Sequence, residues 1–170
     1  FQKMLEFIGL VVQTAVDNTS KEQIYPFRAT VSDILVTDLR SAHMIGKNAP
    51  QVKLVCGSKA VSTPEVVGGG ASANWSGVDY IFYVHQADTM NIAVWSKNAC
   101  IGGVVVDPAE LLGCSADDKG RRDYFNTIVN DQLKICGKIK ISFVLDYFSS
   151  YNVVPDPDAI LQSQPLTPPI

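Results

Sequence analysis

An all-β sandwich is the fold class this sequence predicts, and three observations predict it. Short runs of β-branched and aromatic residues recur from Phe27 to Phe148, a composition that suits pleated, half-buried surfaces. Stretches rich in Gly, Pro, Ser, Asn and Asp separate the runs, and those residues make turns. Between the runs only one short segment has a helical signature, which leaves seven or eight strands to pack on one another. Size and composition agree. The 170 residues make one domain with material to spare at the ends. An apolar share of 46% against 18% charged fills a core and excludes a wholly disordered chain.

In chain order, Met4, Leu5, Ile8, Val11, Val12 and Ala15 recur at spacings of three and four. That periodicity predicts an amphipathic helix within residues 1–20, stopped by the polar residues 17–20. Lys3 and Glu6 and its short length argue against a membrane span. The expectation is a helix packed on the domain or on another part of a longer protein. The chain opens on Phe1, so it reads as a fragment or processed form whose targeting signals are out of view.

Residues 27–36 alternate, with Phe27, Ala29 and Val31 opposite Arg28, Thr30 and Ser32, as a half-buried strand does. Residues 38–50 read as a polar loop and 52–56 as a second strand. Residues 57–74, with Gly68-Gly69-Gly70, read as a flexible loop leading into another strand. No lysine or helix start follows the triple glycine, so it lacks the surroundings of a phosphate cradle. Residues 79–85 form a strand of aromatic and β-branched residues. Residues 91–95 and 101–106 form a strand pair around Ser96-Lys97-Asn98, with Trp95 and Ile101 expected in the core. Pro108 to Leu112 suits one helical turn capped by Asp107. The charged stretch 117–123 reads as a solvated loop, and 138–148 as a strong strand. Five prolines after residue 154 predict an extended or disordered tail over 151–170.

No catalytic constellation emerges. His43 and His85 sit in no nucleophile motif. Cys56, Cys100, Cys114 and Cys136 form no CxxC pair, so they read as free thiols of a reducing compartment rather than as zinc ligands. The adjacent acids Asp117 and Asp118 read as solvent-facing. Asn18 and Asn74 start glycosylation triplets that matter only in a secreted protein. The net charge of −3 argues against nucleic acid and against purely electrostatic attachment to anionic lipid.

Several segments fall in the order of one known family. Residues 43–54, from His43 through Gly46-Lys47-Asn48-Ala49-Pro50 to Lys53-Leu54, resemble the C2-domain pattern D-x-x-G-x-S-D-P-Y-V-K-V. Ser72-Ala73-Asn74-Trp75-Ser76-Gly77 is similar to its N-P-x-W-N-E turn, and residues 79–84 to the F-x-F-x-V strand after it. Residues 91–95 resemble L-x-I-x-V-x-D, Cys100-Ile101-Gly102-Gly103 the I-G of the next strand, and residues 138–147 the closing G-x-I-x-L-x-L-x-Y strand. The resemblance spans about residues 26–150 and implies an eight-stranded antiparallel C2-like sandwich, with the helix and the Pro-rich tail outside it.

The departures from the family are informative. Calcium needs about six to eight oxygens, largely from carboxylates. In C2 domains that bind it, aspartates from two loops supply them. The corresponding positions here are His43 and Ala49 in one loop and Ser96 and Asn98 in the other, with Asp38 the nearby carboxylate. These degenerate loops imply no calcium site, and no metal or cofactor is expected. Some members use a lysine face for anionic lipid, for which Lys47, Lys53, Lys59 and Lys97 are the candidates here, with Met44 and Ile45 as apolar loop residues.

The expectation is therefore a non-catalytic, calcium-independent interaction module or scaffold of a larger eukaryotic protein. It would be cytoplasmic, bind a protein partner or another domain of its parent chain, and touch membranes peripherally. The alternative is a phospholipid-binding targeting domain acting through the lysines. Neither reading involves nucleic acid or a transmembrane segment.

Overall fold

A computed structural model describes residues 24–147. The expected N-terminal helix and Pro-rich tail, with Asn18, lie outside the described residues. Eight strands run in chain order: β1 Phe27–Thr37, β2 Pro50–Cys56, β3 Lys59–Ser62, β4 Ala73–Val84, β5 Met90–Ser96, β6 Ala99–Val106, β7 Arg121–Val129 and β8 Ile135–Tyr147. One short helix, α1 Pro108–Leu112, separates β6 from β7. It starts as the sequence predicts, with Asp107 capping the Ala109 amide and Pro108 in the first turn.

Hydrogen-bonded neighbours follow the order β3-β2-β5-β6-β7-β8-β1-β4, and every pair is antiparallel. β6 and β7 meet only at Gly103↔Val129. The sheet therefore folds there into two four-stranded layers, with the core between their inner faces. Alternation builds that core. β1 turns Phe27, Ala29, Val31, Ile34 and Val36 inward, β2 contributes Val52 and Leu54, and β8 contributes Ile139, Ile141 and Phe143. Phe27, Phe82 and Phe143 are its largest fully buried side chains.

The expected fold class holds, with three local corrections. Residues 59–62, expected within a loop, form β3. Four residues are too few to show alternation, but the turn at Gly57-Ser58 pairs them with β2. The charged stretch 117–123 is loop only as far as Gly120. Arg121, Arg122 and Asp123 begin β7, which pairs with β8 from Arg121↔Val144 to Val129↔Ile135.

The third correction concerns the tryptophans. Trp75 is the buried one, donating its indole N–H to the Pro64 carbonyl at 2.8 Å. Trp95, expected in the core beside Ile101, sits on the outer face of β5, between the buried Val94 and Ser96. Ile101 stays buried because β6 bulges there. Val94 faces Gly102 and Trp95 faces Cys100, so Ile101 is an extra residue that turns inward.

Candidate functional site

Register gathers four connections at one end of the sandwich: residues 38–49, 63–72, the turn Lys97-Asn98 and residues 130–134. Val36↔Ala73, Pro50↔Ser96 and Ser96↔Ala99 bring the first three together, and Thr37↔Lys138 adds the β7–β8 hairpin. The three non-glycine residues with positive φ among the described residues, Asp38, Lys97 and Leu133, all lie in these loops. Left-handed backbone is costly for a side-chain-bearing residue, and such residues cluster at functional sites.

Hydrogen bonds without carboxylates hold the loops. Ser96 is fully buried, and its Oγ accepts from the Ala49 amide at 2.9 Å and shares a 2.8 Å hydrogen bond with His43 Nε2. Asn48 is buried as well. Its amide donates to the Arg40 carbonyl, its side-chain oxygen accepts from the Ala42 amide, both at 2.9 Å, and its own carbonyl accepts from Gly70. His43, Ala49 and Ser96 therefore do come together, through a backbone amide and two side chains that carry no carboxylate. Asn98 occupies the exposed turn beside them. Asp38 is exposed and pairs with Lys138 at 3.5 Å. Among the described residues no three His, Cys, Asp or Glu side chains are grouped to hold a metal ion.

The tips of these loops are apolar. Met44 and Ile45 stand almost wholly in solvent, Val67 is 85% exposed and Leu133 83%. The same connections carry the basic residues Arg40, Lys47, Lys97 and Lys134 and the acids Asp38, Glu65 and Asp131. The lysines expected to act together are dispersed. Lys47 and Lys97 belong to the loop end. Lys53 lies midway along the outer face of β2, with Nζ 4.6 Å from the Trp95 ring centroid. Lys59 pairs with Cys56, whose side chain is buried, so it stands on the opposite face at the far end of the strand, with Nζ 5.9 Å from the Phe82 ring centroid. Sequence reasoning missed Arg40, Val67, Leu133 and Lys134. The signal for Val67 and Leu133 was an apolar residue inside a turn sequence, Val67 ahead of three glycines and Leu133 after Asn130-Asp131-Gln132.

A second surface lies on the outer side of β5 and β6. A groove of about 520 Å³ runs there, lined by Ala93, Cys100, Gly102, Gly103, Val105 and Val129 among others. Asn74, the other glycosylation candidate, is exposed on β4, where its Nδ2 donates to Ser76 Oγ.

All four cysteines are free. Cys100 is exposed, while Cys56 and Cys136 are buried. Burial, and after it the Asp88 carboxylate, pushes the Cys56 thiol up to about 11. Burial also raises the Cys114 thiol, against the opposing pull of Arg122. Iodoacetamide labelling read by mass spectrometry should therefore modify Cys100 first and leave Cys56 unmodified in the folded protein. Prior labelling of Cys56 would contradict this placement. The folded chain holds the Cys56 proton more tightly than the unfolded chain does. The stability this gives is complete below the ordinary thiol value of 9.0 and declines as pH rises from there through about 11.

An eight-stranded antiparallel sandwich, with polar networks and apolar tips concentrated in the loops of one end, defines the class of protein. The fold is that of a C2 domain, as solved structures show. The chain is similar to a C2 domain of plant extended synaptotagmin 1, at 15% identity over 74% of this chain and 97% of that one, with a TM-score of 0.59. It is also similar to a C2 domain-containing protein from a putative elicitor-responsive gene, at 17% identity over 76% and 95%, with a TM-score of 0.55. A third is the calcium-bound pair of C2 domains of extended synaptotagmin 2, at 14% identity over 82% and 49%, with a TM-score of 0.55. No protein-family model matches the sequence, and no curated protein sequence does. No helix among the described residues is long and apolar enough to cross a membrane.

Proposed function

We propose that this domain is a non-catalytic, calcium-independent C2 module that docks peripherally on anionic membranes at the cytoplasmic side, through its loop end. The observation that carries the reading is the concentration of Met44, Ile45 and Val67 at one end, with Arg40, Lys47 and Lys97 in the same loops. Burying a Met or Ile side chain is worth about 1.5–3 kcal/mol. Each basic residue near an anionic leaflet adds about 1 kcal/mol. Insertion of Met44, Ile45 and Val67, helped by Arg40, Lys47 and Lys97 against Asp38 and Glu65 in the same loops, supports reversible attachment despite the acidic balance of the whole chain. The His43–Ser96–Ala49 network supports calcium independence, because it joins the two loops through groups that carry no carboxylate where calcium binding would require carboxylates.

Co-sedimentation with phosphatidylcholine–phosphatidylserine vesicles in excess chelator tests the reading. The protein should pellet, equally well when calcium replaces chelator, and weakly on phosphatidylcholine alone. Met44→Asp combined with Ile45→Asp should abolish pelleting, and Lys97→Glu should weaken it about fivefold or more. Pelleting only with calcium, or none at all, would sink it.

The groove on β5 and β6 favours a second reading, a scaffold for a protein partner. It is concave and largely apolar, and the Lys53–Trp95 contact lies on the same outer face of the sheet. A protein that never pellets but retains a groove-dependent partner, lost on Ala93→Arg, would favour that reading.

A further inference from the structure

We infer that residues 1–20 of this chain seat their apolar stripe in the groove on the outer side of β5 and β6, as a cover within the same chain. The inference is independent of membrane docking, and it gives the groove an occupant that any outside protein would have to displace. The chemistry of the groove suits an apolar occupant. Asp131 is the single charged residue in its lining, and the cross-strand partners Ala93 and Gly103, with Val105, make its floor. Val105 is 63% exposed. Beyond Gly103, β6 has no pairing with β7, so Val104, Val105 and Val106 end the layer as an uncharged β-branched edge. Bare edges of that kind recruit other chains, and a covering helix is one way in which proteins protect them.

The course of the chain before β1 identifies the cover. β1 belongs to the layer β7-β8-β1-β4, whereas Val106 ends β6 in the other layer. Ile24 and Tyr25 are partly buried against the core, and the Tyr25 ring lies 5.5 Å from that of Phe27, the first residue of β1. The same tyrosine feels Asp107, the residue after Val106. Burial, and after it that carboxylate, raise its hydroxyl above the ordinary value. The chain thus reaches β1 from beside the end of β6, and residues 1–23 join it there.

Length and pattern fit as well. Met4, Leu5, Ile8, Val11, Val12 and Ala15 recur at helical spacing. A helix over residues 1–16 would measure about 24 Å, and β6, with 8 residues, measures about 26 Å. The intervening residues 17–23 are polar throughout. At about 3.3 Å each they are long enough to turn from the end of the sandwich onto its outer side. Ala93 and Gly103 are small, which leaves room above the sheet for side chains of the size of Leu5, Ile8 and Val12.

Photo-cross-linking of the whole chain tests this. Benzoylphenylalanine replaces Val105 in one variant and Asn91 in a second, both exposed in the groove lining, so that the test survives if either misfolds by circular dichroism. Mass spectrometry maps the peptides joined after irradiation. The expected product has the mass of one chain and joins the photoreactive position to residues 1–20. Leu5→Asp combined with Ile8→Asp should cut its yield about tenfold or more. A product joining two chains would make a second copy the occupant and overturn the inference. No cross-link, or one only to residues outside 1–20, would overturn it as well, and so would an unchanged yield in the aspartate variant. None of these outcomes bears on vesicle pelleting, so membrane docking stands or falls separately.

Discussion

Gly102→Ala is expected to destabilise the domain by about 3 kcal/mol, out of a total of about 5–15 kcal/mol for a protein of this kind. Gly102 is buried in β6 where the two layers close. A methyl group there would lie 2.7 Å from the Val129 carbonyl oxygen and 2.8 Å from Ile128 Cγ2. Neither atom yields easily, because β7 is hydrogen-bonded to β8 on its other side and the Ile128 side chain is fully buried. The layers would have to separate at the junction that makes one sheet into a sandwich. Gly103→Ala should act in the same direction, with its methyl 2.6 Å from the Ile92 carbonyl oxygen. Urea denaturation measures both. A shift in the Gly102→Ala midpoint worth less than about 1 kcal/mol would show that the junction is looser than this packing implies.

Asn48→Ala should cost about 2 kcal/mol, and its effect should reach the loop tips. The side chain satisfies the Ala42 amide and the Arg40 carbonyl at once, so alanine leaves both unpaired around a residue only 2% exposed. Those bonds close the loop that carries Met44 and Ile45. The variant should therefore bind vesicles more weakly than the native chain, though better than the Met44→Asp, Ile45→Asp pair. Unchanged stability would show that water replaces the lost bonds. Unchanged vesicle binding at reduced stability would show that the tips need no fixed loop to insert.

The strands readable in sequence were those with unbroken alternation, such as β1, or with continuous apolar character, such as the middle of β8. β7 escaped because its inward positions include Arg122 and Asn126. Arg122 donates to the Leu112 and Cys114 carbonyls, and Asn126 to the Tyr124 hydroxyl. These polar groups are tolerable because the carbonyls that follow α1 and the Tyr124 hydroxyl satisfy them, and the alternation of residue types along the strand does not record that. β3 escaped by being too short to have a pattern.

The candidate site divides in the same way. Met44 and Ile45 were legible because two apolar residues in a polar loop have no core position to fill. The missing carboxylates at His43, Ala49, Ser96 and Asn98 were also legible, since they are matters of residue identity. The meeting of His43, Ser96 and the Ala49 amide was not. It requires the β2–β5 register that sets Pro50 opposite Ser96. Nor could the sequence show that Lys53 and Lys59 part company. Their separation of a few residues suggests one face, but antiparallel pairing sets Lys53 beside Ser62 and Lys59 beside Cys56.

By itself, then, the sequence determined the all-β class, most of the strands, the resemblance to C2 domains and the absence of a carboxylate cluster from the loops. Each of these depends on residue type and local period. Only the tertiary structure decided that Leu133 and Val67 join Met44 and Ile45 at one end. It also decided that Trp95 lies outside while Trp75 lies within. The physical reason is that a strand's side chains alternate strictly, so a face is assigned by pairing register and by one-residue bulges. A single extra residue, as at Ile101 on β6, turns two consecutive side-chain positions inward without altering the composition around them.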